Sequence, residues 1–201
     1  MKKLLLTALI AGMSATPAFA APYVSGSVGL GFAGNSSYTQ TGGTEVKDFL
    51  KWKSGVPFGG AIGIKQDEFR VEAALGYQTH DLDKVLNNTT GVYESATGTG
   101  NSFSVLTYMA NGYYDIDLNK SSVSPYVMGG LGGASLKPKD KDSTSKFAWQ
   151  VGAGVGIKAA KDLTVDLGIR HLKPGSGNDG TRGKFSVSYT NILAGIRYDF
   201  Q

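Results

Sequence analysis

The chain has 201 residues, with 20 Lys and Arg against 16 Asp and Glu and a formal charge of +4. Two of the lysines belong to an amino-terminal leader segment, so the remaining charge is only +2 (18 − 16) and gives no reason to expect nucleic acid as a partner. No cysteine is present, which excludes disulfides and thiolate metal sites.

The first 20 residues have the pattern of a secretory signal peptide. Lys2 and Lys3 precede an apolar run at 4–10, and the small residues Ala18 and Ala20 form an A-x-A cleavage site. We therefore expect segment 1–20 to be removed on export, which leaves one domain, 21–201, of 181 residues (201 − 20). Beyond the leader, no run of about 18 apolar residues could form a transmembrane helix.

Strict alternation of apolar and polar residues predicts eight strands in the mature chain. The predicted strands are 23–32, 56–65, 69–78, 104–115, 124–134, 147–158, 163–172 and 185–200. In the fourth strand we place Leu106, Tyr108 and Tyr114 on the apolar face, whereas in the fifth strand either face could be the apolar one.

The connections between these strands alternate in length. Short turns are predicted at 65–68, 115–123 and 159–162. Long polar loops are predicted at 33–53, 79–102, 135–146 and 173–184. The alternation places all four long loops at one end of the molecule and both termini at the other.

The face opposite the large apolar residues is rich in glycine, alanine and serine and carries a few charges. A core of that composition would bury too little apolar surface to fold in water. If the large residues instead point outward into lipid, the small and polar ones fill a narrow lumen, and closure of the sheet leaves no unpaired edge. The sequence therefore predicts an all-β fold, an eight-stranded antiparallel up-and-down transmembrane β-barrel.

The predicted lumen contains five charged residues: Arg70, Glu72, Asp166, Arg170 and Arg197. Glu72 and Asp166 lie at similar depth on strands from opposite sides of the barrel. Because buried charges must be paired or hydrated, we expect a network in which Glu72 and Asp166 are each held by one or two arginines in bidentate pairs.

Other chemical motifs are weak. The stretch GLGFAG at 29–34 fits the dinucleotide-binding glycine pattern, but a polar loop rather than a helix follows it. His80 and His171 lack the His-x-Ser arrangement of outer-membrane lipid deacylases, and two separated histidines without cysteine do not form a typical metal site. We therefore expect no enzyme activity, no cofactor and no metal.

The carboxyl terminus reads AGIRYDFQ, in which Gly195, Tyr198 and Phe200 are similar to the signal read by the barrel-assembly machinery of Gram-negative bacteria. The stretches FRVEAALGY, NGYYDIDL, SPYVMGGLGG, FAWQVGAGVG and LGIRHL resemble opacity-type small outer-membrane surface proteins. The resemblance spans most of 21–200. It departs at Gln201, because the family usually ends on the aromatic residue, and we expect slower assembly as a result.

The resemblance implies a monomeric barrel, integral to the bacterial outer membrane, that displays four loops as a surface antigen or adhesin with a structural role in the envelope. It implies contacts with outer-membrane lipid and lipopolysaccharide, with the barrel-assembly machinery, and with a host-surface ligand through the loops. The basic loop residues that could contact phosphates or acidic glycans are Lys137, Lys139, Lys141, Arg182 and Lys184. Two alternatives stay open: a narrow pore for small solutes, and a lipid-modifying enzyme.

Overall fold

The strands form a single closed wall in the structure, a computed structural model that describes residues 20–34, 37–39, 45–46, 50–86, 93–95, 102–118, 121–138, 143–175, 177–179 and 183–200. In chain order the strands are β1 (Ala21–Ala33), β2 (Ser37–Thr39), β3 (Glu45–Val46), β4 (Leu50–Trp52), β5 (Phe58–Gln66), β6 (Phe69–Leu86), β7 (Tyr93–Ser95), β8 (Ser102–Asp115), β9 (Val123–Pro138), β10 (Thr144–Lys158), β11 (Leu163–Pro174), β12 (Gly177–Asp179), β13 (Gly183–Ser186) and β14 (Tyr189–Asp199).

Eight of these strands build the barrel: β1, β5, β6, β8, β9, β10, β11 and β14. Each pairs antiparallel with the next. The last strand returns to the first, with Tyr23 opposite Asp199 and Ala33 opposite Tyr189. This closing seam between β1 and β14 leaves the barrel without an unpaired edge, and the predicted fold class is confirmed.

Large apolar side chains cover the outside of the wall. Leu75 and Leu131 are 63% and 60% exposed, and Leu106, Tyr108 and Tyr114 also face outward, as predicted for the fourth strand. In the fifth strand, which the sequence left open, Val127 and Leu131 point outward. Within the described ranges, no helix is long and apolar enough to cross a membrane.

The strands reach further at one end than predicted. β6 continues to Leu86 and β9 to Pro138, so both enter the predicted loops 79–102 and 135–146. We call this end, where the long connections lie, the loop end, and the opposite end the turn end. Continued pairing satisfies backbone N–H and C=O groups that would otherwise need other partners, which explains why the hairpins extend.

The predicted eighth strand, 185–200, is interrupted. β13 ends at Ser186 and pairs with β2, whereas β14 begins at Tyr189 and belongs to the barrel. Between them Val187 is buried, and the carbonyl of Ser188 accepts a hydrogen bond from Gly34 N at 2.7 Å. The chain therefore leaves the continuous strand here, where Val187 is buried and Ser188 bonds to Gly34 at the end of the barrel's first strand.

The turn end has short connections, as predicted at 65–68 and 159–162. The tightest joins β5 to β6 through Asp67 and Glu68, and Asp67 has a φ of 52°. Aspartate tolerates this left-handed conformation better than most residues, so the two-residue turn is consistent with the sequence. The predicted signal segment, apart from Ala20, lies outside the described residues.

The closing seam leaves no room for a side chain at Gly29. A Cβ on Gly29 would collide with the backbone carbonyl of Ile192 on β14, whereas a Cβ on Gly112 of β8 would meet nothing within 4 Å. We therefore expect Gly29→Ala to lower the free energy of unfolding by about 1–3 kcal/mol, because the seam must open to admit a methyl group. Urea unfolding in detergent micelles measures the change.

The matched control is Gly112→Ala, which should stay within about 0.5 kcal/mol of the unmodified protein. Equal destabilisation by both substitutions would show that close approach at the seam is not the cause.

Candidate functional site

The lumen near the turn end contains a cluster of charged side chains, which we call the charge network. It consists of four cations and four carboxylates: Lys65, Arg70, Arg170, Arg197, Glu72, Asp115, Asp166 and Asp199. They come from β5, β6, β8, β11 and β14. All five sequence-predicted lumen residues belong to this network.

Its best-formed pair joins Arg70 to Asp115. Arg70 Nε donates to both carboxylate oxygens at 3.0 Å, and Nη2 donates to Oδ1 at 2.7 Å. Lys65 Nζ lies 3.2 Å from Oδ2 of the same carboxylate. The Arg70 guanidinium also lies over the ring of Tyr113, 4.2 Å from its centroid, and 5.1 Å from that of Tyr126. Such a buried bidentate pair links β6 to β8 firmly.

Glu72 is held differently from the prediction. Its carboxylate accepts hydrogen bonds from Tyr113 Oη at 2.7 Å, Asn111 Nδ2 at 2.9 Å and Tyr23 Oη at 3.1 Å. Ion pairs within 4.0 Å among the described residues involve Asp115, Asp166 and Asp199 but not Glu72, so the expected bidentate arginine is wrong for this residue. Asn111 is the direct cross-strand neighbour of Glu72, and that proximity explains its role.

The hydrogen bonds around Glu72 extend across the lumen. Gln150 Nε2 donates to Asn111 Oδ1, and Arg170 Nη2 donates to Tyr113 Oη at 3.2 Å. Through Tyr113, the carboxylate of Glu72 on β6 is therefore connected to Arg170 on β11, from the opposite side of the barrel. The network thus connects strands on opposite sides of the barrel across the interior.

Asp166 does have an arginine partner, but the contact is single and long. Arg197 Nη1 lies 3.7 Å from Asp166 Oδ2, and Arg197 Nε lies 3.5 Å from Asp199 Oδ1. The Arg197 guanidinium also lies 5.7 Å from the ring centroid of Tyr23. Asp166 thus has an arginine near it, as expected, whereas the predicted bidentate geometry is wrong.

Toward the loop end the lumen contains an apolar cluster, with the buried polar residues Gln78 and His80 beside it. We call this cluster the apolar layer, and its buried members are Val105, Met109, Ala134, Ala148, Leu172, Val187 and Tyr189. The ring of His80 stacks on Tyr189 with centroids 5.2 Å apart. A cavity of about 110 Å³ lies against both the apolar layer and the charge network. The interior is therefore filled by side chains at two levels with a space between them.

The two histidines lie apart. His80 faces the lumen, where its Nδ1 is 3.2 Å from the carbonyl oxygen of Lys53. His171 lies against the outward ring of Trp149, 6.3 Å between centroids, with its Nδ1 3.1 Å from Thr190 Oγ1. They do not share a site.

Two aromatic residues of the carboxyl-terminal pattern are accessible from outside the barrel. Tyr198 and Phe200 are exposed on the outer wall, with their rings in edge contact at 5.2 Å, and Gly195 faces inward against β1. Gln201 lies outside the described residues.

Only part of the predicted basic loop set is described. Lys137 is exposed near the end of β9, and Lys184 lies in β13. Lys139, Lys141 and Arg182 lie outside the described residues.

Sequence reasoning missed Asp115 as a lumen residue, because Asp115 lies where the predicted fourth strand, 104–115, meets the predicted turn 115–123. A signal was present, because Asp115 continues the spacing of two from Asn111 and Tyr113 on the inward face of β8. Lys65 and Asp199 follow the same inward spacing on their own strands.

A closed antiparallel barrel of eight strands, apolar outside and polar within, defines a transmembrane β-barrel protein. The profile of the family described as "Outer membrane protein beta-barrel domain" matches residues 4–200. The chain belongs to this family and is an integral protein of the outer membrane. The resemblance to small outer-membrane surface barrels is thereby confirmed.

The chain is similar in sequence or in fold to several known proteins. The chain is 24% identical to an uncharacterized protein of Brucella abortus, over 92% of this chain and 87% of the relative. The crystal structure of Neisserial surface protein A, NspA, covers 89% of this chain and 97% of its own at 19% identity and a TM-score of 0.53. The solid-state NMR structure of outer membrane protein AlkL in lipid bilayers covers 90% of each chain at 14% identity and a TM-score of 0.55. At these identities the two structures show the fold alone.

Removing Asp115 should destabilise the barrel strongly. Asp115→Ala leaves Arg70 buried without its carboxylate, and we expect a loss of about 3–5 kcal/mol in the free energy of unfolding. Denaturant titration of the detergent-solubilised protein, followed by tryptophan fluorescence, measures it.

Asp117→Ala is the control, because Asp117 is exposed two residues further along the chain and should change stability by no more than about 0.5 kcal/mol. The double variant Arg70→Met/Asp115→Leu should recover part of the loss, since neither charge of the buried pair remains and Lys65, which also loses its partner, is partly exposed to solvent. If the double variant were as unstable as Asp115→Ala, a buried Arg70 without its carboxylate would not be the cause of the loss.

Proposed function

We propose that the protein is a non-catalytic surface-display barrel, whose lumen is closed by side chains and whose loop end presents a bacterial surface antigen or adhesin. The observation that carries this proposal is the extra sheet structure at the loop end. β4 pairs with the extension of β6, with Leu50 opposite Val85, and β7 pairs with the other edge of that extension. The loop end is therefore built up from the barrel wall.

The first long connection takes part in two sheets. Its β2 pairs with β13 of the fourth connection, with Tyr38 opposite Phe185, and its β4 pairs with β6. Backbone pairing thus connects the first connection to both neighbours around the rim. A rigid scaffold that positions connecting segments is the usual arrangement for recognition by loops.

The interior favours an anchor over the alternatives. The charge network and the apolar layer fill the lumen at two levels, which argues against an open pore. His80 faces the lumen and His171 the outer wall, so they do not form a shared site for lipid hydrolysis.

The proposed partners follow from the outer surface. Exposed Lys137 is the cross-strand neighbour of Ser104 near the loop end, where a cation can meet lipopolysaccharide phosphates. Tyr198 and Phe200 are accessible to the assembly machinery. Display at the cell surface is consistent with NspA, whose name describes a surface protein. We propose a monomer with a host-surface ligand bound by the loops.

Single cysteines test which end faces outward, because the natural chain has none. Ser143 is exposed at the loop end between β9 and β10, and Ser122 is exposed at the turn end before β9. A membrane-impermeant maleimide added to intact cells should label Ser143→Cys, and should label Ser122→Cys only after the outer membrane is disrupted.

The unmodified chain serves as the unlabelled control, and a shift in gel migration on heating verifies that each variant is folded. Labelling of Ser122→Cys alone on intact cells would invert the topology and remove the basis for surface display.

A further inference from the structure

The cavity in the lumen is bounded by two unlike surfaces. From the charge network and its tyrosines it contacts Arg70, Tyr113 and Arg170, and from the apolar layer it contacts Val105 and Leu172. Its volume is about 110 Å³. A single water requires about 10–15 Å³ on this scale, so the cavity has room for several.

Two buried amides lining this cavity lack protein partners. Gln78 is 3% exposed, and neither its Nε2 nor its Oε1 has a hydrogen-bond partner within the described part of the chain. Asn191 is 7% exposed, and its Oδ1 is likewise unsatisfied there. A buried polar group without a hydrogen bond costs about 1–3 kcal/mol, so these atoms need a ligand from the cavity.

The chemistry of the lining selects the ligand. Gln78 requires a partner that both donates and accepts, and Asn191 requires a donor. The charged residues on the lining are balanced, with Arg70 and Arg170 against Glu72 and Asp166, so the cavity is not built for an ion of one sign. Water is the ligand that meets all of these requirements.

We propose that the lumen holds a chamber of ordered water, bound by Gln78 and Asn191, and that the apolar layer is a hydrophobic gate separating this chamber from the loop end. Narrow apolar constrictions block passage by excluding water, without needing to be sterically complete. Within the described part of the chain, the turn end is lined by charged groups that water can solvate, and the ion pairs of Arg197 are long, at 3.7 and 3.5 Å. The apolar layer is therefore the step that limits passage.

The gate is connected to the loops. Val187 belongs to the apolar layer but lies outside any strand, between β13 and β14. β13 pairs with β2 of the first connection in a small sheet of β12, β13, β2 and β3, so Val187 directly follows a segment of that sheet. A displacement of that sheet would move one member of the gate, whereas the other members lie on barrel strands.

Two measurements test the chamber and the gate separately. In the unmodified protein in micelles, water-to-protein NMR transfer should reach the side-chain amide protons of Gln78. In proteoliposomes, the unmodified protein should add no osmotic water permeability to that of protein-free vesicles, whereas Leu172→Ala should add permeability in proportion to the number of barrels, because it widens the constriction.

Leu167→Ala is the matched control, because Leu167 lies on the same strand but faces lipid, and it should leave water permeability unchanged. Val187→Ser is a second gate variant that alters no barrel strand, and it should also raise permeability. Absence of water transfer to Gln78 would overturn the chamber. Permeability equal in the Leu172→Ala, Val187→Ser and Leu167→Ala proteins would overturn the gate.

Discussion

The bilayer interior offers the backbone no hydrogen-bond partner, and this constraint explains the architecture of the chain. Every N–H and C=O at membrane depth must be paired within the protein, which for strands requires a closed sheet. The closing seam meets the requirement over eleven residue pairs, from Tyr23 opposite Asp199 to Ala33 opposite Tyr189. Close approach at that seam in turn requires glycine at position 29, where the β14 backbone would meet any side chain.

The same constraint determines what the lumen must contain. The large apolar side chains face the lipid, so polar and charged side chains fill the narrow interior. Each of them needs a hydrogen-bond or ion-pair partner there. Arg70 and Asp115 satisfy one another, and Glu72 is satisfied by two phenols and an amide. Buried ion pairs contribute little net stability compared with apolar packing. We interpret the network as a device that specifies strand register near the turn end, while the apolar layer closes the lumen toward the loop end.

The alternating pattern was sufficient to predict eight strands, their order and the face that meets lipid, because a period of two determines orientation along a whole strand. Val127 and Leu131 show the limit, since the glycines between and around them left the face of that strand open until its register was known. The partners of Glu72 could not be predicted, because alternation determines which side chains enter the lumen but not which ones meet there. The interruption after Ser186 depends on burial of Val187, a tertiary contact that no local pattern contains.

The apolar exterior of the barrel faces lipid, while a smaller apolar cluster is enclosed in the lumen. Proton magnetisation transfer from lipid acyl chains to the protein, measured by NMR in bilayers, distinguishes these two apolar surfaces directly. The methyl groups of Leu75, Leu131 and Ile196 should receive strong transfer, whereas those of Val105 and Leu172 should receive none. Strong transfer to Val105 and Leu172, with little to Leu75 and Ile196, would contradict the assignment of inner and outer faces.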